Sequence, residues 1–409
     1  MAQTFDLIDK SALDVILNSG PTVSAANYIS QTADGGEAIQ AAINDLPSKG
    51  GTVHIPADGP DDGVASSGKT LSEDNVWAVT SPIDVNQMGV RIVGESRGSL
   101  GSTQEGSTGT VLLTPDSAAD IAYQIKFAQS AGCGAYNMRM DGGTGNIADG
   151  NADFGIVIED ADPTSANPIH DFSMMRMSIH HQTKGNLRIN ATNGNLGDVR
   201  ILNSVISDCS IANIAVDNAP SFFSIKLSQV ISSLSGRLID VQSGMNTIDA
   251  SQIIISGNSG AINKEGIRIA DSINDVRVSK FNQNEFDNAF LVVTSNGTID
   301  KSGVIREGVV EGGSTTSHVV DNQGTITNVA FADITSRGLT GSKYVNVVND
   351  PTNAPRCTIE GLGYNGSNDP SSGGVWNGNG VEGVRVLWDN NGTSTLAEYV
   401  NGSWYSRAL

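Results

Sequence analysis

The sequence predicts an all-β chain wound as a right-handed parallel β-helix, with a short N-terminal capping helix and a small C-terminal β extension. Three observations carry this reading. The first is a phrase that recurs between Phe154 and Gly313. Gly155–Glu159, Asn186–Asn190, Asn213–Asp217, Gly236–Asp240 and Gly266–Ala270 all have the period-2 alternation of a strand. The second is a partner strand after each: Met175–Met177, Val199–Ile201, Phe223–Ile225, Ile248–Ala250 and Val276–Val278, with Gly, Asn, Asp and Ser between. The two together repeat at about 25 residues, the period of a solenoid. One such coil cannot bury its apolar face alone. Stacked coils can, because each strand pairs in parallel with the coils above and below. The third observation is a helix signal that ends in Gly50-Gly51 and leads into a strand closed by Pro56.

Residues 1–56 read as lead-in and cap. Ser11–Asn18 has a short helical pattern. In the cap, Ala38, Ala42 and Leu46, and Ile39 with Ile43, stand at helical spacing, and Thr52–Ile55 reads as a strand. A helix here covers the open end of the solenoid, which would otherwise expose a bare core and an unpaired edge. Residues 57–364 read as the β-helix. Ala57–Asp74 is an acidic, solvated loop, Val90–Gly94 an early coil strand, and Glu95–Gly109 and Asp141–Asp153 are Gly-rich loops of the kind that line binding faces. Residues 365–409 read as a Gly/Ser/Asn linker and a hairpin, Val384–Trp388 with Ala397–Val400, turned near Asp389-Asn390-Asn391-Gly392.

Composition narrows the function. A net charge of −20 over 409 residues repels nucleic-acid phosphates and suits a neutral substrate. No apolar run reaches membrane-spanning length, so no membrane partner is expected. Cys133, Cys209 and Cys357 are odd in number and widely spaced, so they form no disulfide framework or zinc pattern. Gly142–Gly145 lacks the lysine of a phosphate loop, and no Gly-x-Ser-x-Gly occurs. The chemistry expected uses no cofactor and no metal. Low charge with abundant Asn, Ser, Thr and Gly is associated with secreted bacterial carbohydrate-active proteins, and the chain is expected outside the cell, its signal peptide lying outside this sequence.

Alternation points two sets of polar residues outward. The first strand set presents Glu159, Asn190, Asp217 and Asp240. Carboxylates on adjacent coils, about 4.8 Å apart, repel, which separates an acid from a base. Asp217 and Asp240 are the catalytic candidates from this column and Glu159 a substrate-binding one. A solvated acidic ladder is the structural alternative. The second set presents Arg139, Arg176, Arg200, Ser224, Asp249 and Arg277. Arg176 and Arg200 have forked donors that suit sugar hydroxyls, local acids such as Asp198, Asp208 or Asp249, or carboxylates of another subunit. His180-His181 places one ring inward and leaves one to reach a ligand. Trp77 either stacks on a sugar or is buried under the cap.

The cap residues Asp34–Ile43 and Gly50–Pro56 resemble the N-terminal cap of the pectate-lyase-like β-helix superfamily. With the coils Gly185–Ile201 and Ile211–Asp249 and the acidic, Gly-rich character throughout, the chain is similar to the bacterial inulin fructotransferases, the difructose-anhydride-forming enzymes. The resemblance implies a homotrimer with active sites between subunits. It also implies release of the terminal difructose of a β-2,1-fructan as a cyclic anhydride. An Asp and Glu pair is implied as acid and base, and Asp198, in Gly197–Arg200, is the best match for the Asp. The competing expectations are a polysaccharide lyase and a non-catalytic tailspike- or adhesin-like glycan binder.

Overall fold

The computed structural model describes residues 20–408 except 63, 66–71, 74, 98–108, 129–130, 144–150, 160–170, 192–196, 220–222, 234–235, 257–264, 287–288, 313–317, 328, 338–357, 361, 366–384, 391–392 and 401–402. The chain is a right-handed parallel β-helix. One face is a nine-stranded sheet, one strand per coil, from Ile83–Val85 to His318–Asn322. The rest of the wall is a long parallel sheet that wraps around the other side.

The long sheet bends at a stack of residues with positive φ: Asn137, Arg176, Asn203, Gln229, Gln252, Lys280, Glu307 and Asp333, at 47° to 58°. Asn137 and Arg176 each separate two short strands, and from Asn203 on each sits between two paired runs of one strand, as Gln229 does between Ser228 and Val230. A left-handed residue turns the chain without ending it, which lets one strand serve two faces. The sequence alternation marks only a short part of each long strand, as Val199–Ile201 within Asp198–Ser207. Met175–Met177 is not one strand: the strand ends at Met175, and Arg176 makes the bend.

The inward residues form one continuous core. Ile189, Ile201, Val216 and Ile225 are fully buried in it, while Arg200 and Asp217 point outward and are partly exposed, as the alternation predicts. The helix Gly35–Asn44 covers the N-terminal end, with Ala38, Ile39, Ala42 and Ile43 buried. Its N-cap Asp34 accepts from the Glu37 backbone N–H at 2.8 Å. Asp61, from the acidic loop, accepts from the backbone N–H of Gly35 and Ala78 and so ties that loop to the helix start. A Cβ on Gly35 would lie 2.7 Å from Trp77 Cα, so glycine is what allows this close packing.

The sheet begins earlier than the sequence reading placed it. Thr22–Ser24 pairs in parallel with Thr52–His54, so the residues 1–56 already contain sheet on either side of the cap helix. At the other end, Arg385–Asn390, Thr393–Val400 and Ser403–Ala408 form an antiparallel meander whose first strand continues the long sheet against Leu362–Asn365. The expected hairpin is its first half. The Ser11–Asn18 pattern, Cys357 and most of the linker lie outside the described residues.

Candidate functional site: a groove on the nine-stranded sheet

Three outward carboxylates picked from the alternation, Glu159, Asp217 and Asp240, line one groove of about 370 Å³ on the outer face of the nine-stranded sheet. Tyr123, Asp153, Phe154, Lys184, Arg188 and Gln242 complete its polar and aromatic lining. The floor follows one register column, in which Val157, Arg188, Ala215 and Asp240 stand on successive coils, flanked beyond the groove by Lys126 and Arg268. Val157 and Ala215 are the short members, and the groove opens over them.

The column corrects the expected pairing of Asp217 with Asp240. Asp240 is opposite Ala215, and Val216 is opposite Val241, so the two carboxylates are two residues out of step. Both still point outward, because a two-residue slip keeps every side chain on its face. Nor do they stand as a bare acidic pair. Asp217 accepts from Arg188 Nε at 2.6 Å. Asp240 is buried and accepts from Gln242 at 2.8 Å, with Arg237 at 3.2 Å and Arg268 at 3.4 Å. Glu159 accepts from the neutral amide of Asn190 at 3.0 Å.

Arg188 was not singled out from the sequence. It occupies the middle of the groove, with Nε on Asp217 and its guanidinium carbon 5.5 Å from the centre of the Phe154 ring. That leaves the terminal amines of its fork for a ligand. Its signal in the sequence was its place in Asn186–Asn190 between two inward residues, Leu187 and Ile189.

The remaining candidates lie elsewhere. Asp198 is on the long sheet, where it takes Lys226 at 2.5 Å and Arg200 at 3.5 Å. Arg200 also reaches Asp171 at 3.2 Å. Of the expected arginine column, Arg200, Asp249 and Arg277 share one register, and Arg139 and Arg176 stand outside it. In register with Arg200 stand Ser173, Lys226, Asp249 and Arg277; Lys226 takes the place given to Ser224. Arg277 pairs with Asp275 at 2.5 Å and Arg200 with Asp198 at 3.5 Å, so local acids partner the arginines of this column. Arg176 is at the bend, and no acid partner for it stands among the described residues. Trp77 is fully buried, its Nε1–H donating to the Pro56 carbonyl at 2.9 Å, so of its two readings the cap residue holds and sugar stacking does not.

Both histidines are buried, against the expectation that one reaches a ligand. His180 lies between Ser178 and Ser207, each hydroxyl 2.5 Å from a ring nitrogen. Burial pushes its imidazole below the ordinary value, against the pull of Asp208. His181 Nδ1 is 3.0 Å from Asp141, which also takes Arg139 at 2.6 Å. This closed network knits the coils of Asp141, His180 and Ser207 together and lines no part of the groove.

No protein-family model and no curated protein matches the chain. Solved structures do. The catalytic domain of a GH87 α-1,3-glucanase matches with a TM-score of 0.54 at 13% identity, over 91% of this chain and 65% of that one. The present chain thus spans about two thirds of the glucanase domain's length. A DFA-IIIase from Arthrobacter chlorophenolicus matches with a TM-score of 0.51 at 11% identity, over 90% of this chain and 86% of that one. The A-module of an Azotobacter vinelandii mannuronan C-5 epimerase matches with a TM-score of 0.50 at 13% identity, over 91% and 92%. These neighbours are carbohydrate-processing enzymes, and at such identities what this chain is similar to is their fold.

Proposed function

We infer that the chain is a glycan-active enzyme whose site is the groove on the nine-stranded sheet. Its reaction, on this reading, is the intramolecular fructosyl transfer that releases terminal difructose from β-2,1-fructan as a cyclic anhydride. The observation that carries it is the convergence of Glu159, Asp217 and Asp240 beside Arg188 and two aromatic rings in one groove. The sequence resemblance supplies the particular substrate, and the DFA-IIIase of the same fold supports it.

In the reaction, a hydroxyl of the terminal difructose attacks the anomeric carbon that links this unit to the rest of the chain. The bond to the linking oxygen breaks, a base takes the proton of the attacking hydroxyl, and an acid protonates the leaving oxygen. No water is consumed. Asp217 is bound to a cation and Glu159 to a neutral amide. We give the base role to Asp217, whose oxygen lies beside Arg188 in the middle of the groove, and the acid role to Glu159, two coils away. Asp240, clamped by two arginines, positions Arg268 and Gln242 instead.

Chromatography of inulin digests is the test. Cyclic difructose supports the reading. Unsaturated uronides from pectin would replace it with a lyase, and glycan binding without product would replace it with a binding module. The resemblance also implies a homotrimer. Arg176, half-buried and lacking an acid among the described residues, is the group on this surface suited to a carboxylate of another copy. A monomer mass by light scattering at micromolar concentration would reject that assembly.

A further inference from the structure

We propose that Tyr123 is a sugar-stacking platform at the end of the groove remote from Asp240, a subsite for a neutral sugar that takes no part in the chemistry. The proposal rests on the glycan reading of the groove and adds to it the direction in which the substrate lies.

The groove crosses five successive coils, those of Tyr123, Phe154, Arg188, Asp217 and Asp240. Four coil steps span about 19 Å along the helix axis, at ~4.8 Å per step. That is room for an oligosaccharide rather than a single ring, lying along the axis and across the strands. Asp217 and Asp240 occupy one end and the aromatic side chains the other, with Glu159 on the strand of Phe154, one coil from Tyr123.

Of the two rings, Tyr123 is the one available. Phe154 is 9% exposed and already faces the Arg188 guanidinium. Tyr123 is half-buried and lines the groove. Its hydroxyl donates to Asp84 at 3.0 Å. Lys126 Nζ, 3.4 Å from the same carboxylate, stands 5.0 Å from the ring centre on one face. The ring is therefore held at its tip and on one face. A pinned aromatic with a face toward a groove suits the C–H face of a sugar, since the ring's negative face attracts the weakly positive hydrogens. Burial raises the phenol above its usual value, so it remains the donor that holds the ring to Asp84. Exposed Ile211 on the groove lining extends the apolar surface along the same path.

The test is calorimetric binding of an inulin-type trisaccharide and pentasaccharide to the intact protein, its Tyr123→Ala variant and its Tyr123→Phe variant. Wild type is expected to bind the pentasaccharide more tightly by roughly three- to tenfold, the size of one aromatic contact. Tyr123→Ala should lose that margin and bind the trisaccharide unchanged, and Tyr123→Phe should keep most of it. Removing the ring leaves Asp84 paired with Lys126, so no charge is stranded, and an unchanged melting temperature checks this. Equal chain-length dependence in wild type and Tyr123→Ala overturns the platform. Turnover is read separately. Tyr123-dependent binding without cyclic product refutes the fructan reaction and leaves the platform. Cyclic product with no Tyr123 dependence refutes the platform and leaves the reaction. If wild type binds neither fructan, the same pair is run on neutral α-1,3-glucan oligosaccharides of both lengths, and absence of a Tyr123-dependent margin there overturns the platform outright.

Discussion

Arg188 donates its Nε–H to Asp217 Oδ2 at 2.6 Å across one coil of the nine-stranded sheet. The pair spans the stretch of floor that Ala215 leaves low, opposite Asp240. It places a carboxylate oxygen beside the two terminal amines of one guanidinium, which have no partner among the described residues. The first prediction follows from it. Asp217→Asn is expected to lower turnover of inulin by about 10²–10⁴-fold with an unchanged melting temperature, and Glu159→Gln to act likewise. Near-normal turnover in both variants would remove these residues from the chemistry.

Asp240 behaves differently. Its carboxylate is buried between Arg237 and Arg268, and Arg237 also holds Glu265 at 2.6 Å. Asp240→Ala leaves Arg237 with Glu265 alone and takes from half-buried Arg268 its acid, and should cost about 1–3 kcal/mol of stability. Urea unfolding measures it. A variant as stable as wild type would mean that the arginines find other partners.

Ile201→Ala tests the core. Ile201 is fully buried, stacked between Met174 and Leu227. The cavity should cost about 2–5 kcal/mol, again read by urea unfolding.

Gly185→Ala tests the seat of Phe154. An added Cβ would lie 2.4 Å from the Ala212 carbonyl oxygen and 3.1 Å from Phe154 Cε1. The backbone contact cannot yield cheaply, so a loss of about 1–3 kcal/mol is expected. An unchanged melting temperature would show that the coil can shift.

His180 links stability to pH. Burial holds its folded value below 6.5, so on acidification the unfolded chain takes up this proton first. Its contribution is complete above about pH 6.5 and is lost as pH falls from there through the folded value. Unfolding midpoints at about pH 7.5 and about pH 5.5 should differ, and His180→Asn should narrow the difference. An equal drop in both proteins would assign the acid sensitivity to other groups.

What the sequence determined by itself was parity. Period-2 alternation put Ile189, Ile201, Val216 and Ile225 in the core and Glu159, Arg200, Asp217 and Asp240 outside, because one face of each strand must leave water. The helical spacing of Ala38, Ile39, Ala42 and Ile43 placed the cap by the same reasoning. Register was decided by the tertiary structure. Asp217 and Asp240, and Ser224 and Lys226, were each misaligned by two residues, a slip that preserves every inside–outside assignment and is therefore silent in the hydrophobic pattern. What breaks the degeneracy is the length of each loop, the irregularity between Ile189 and Asn190, and the left-handed bends at Arg176 and Asn203. None of these carries a hydrophobic signal. Whether an outward side chain ends in a groove, like Glu159, or in a sealed network, like His180, depends on which neighbours that register brings beside it.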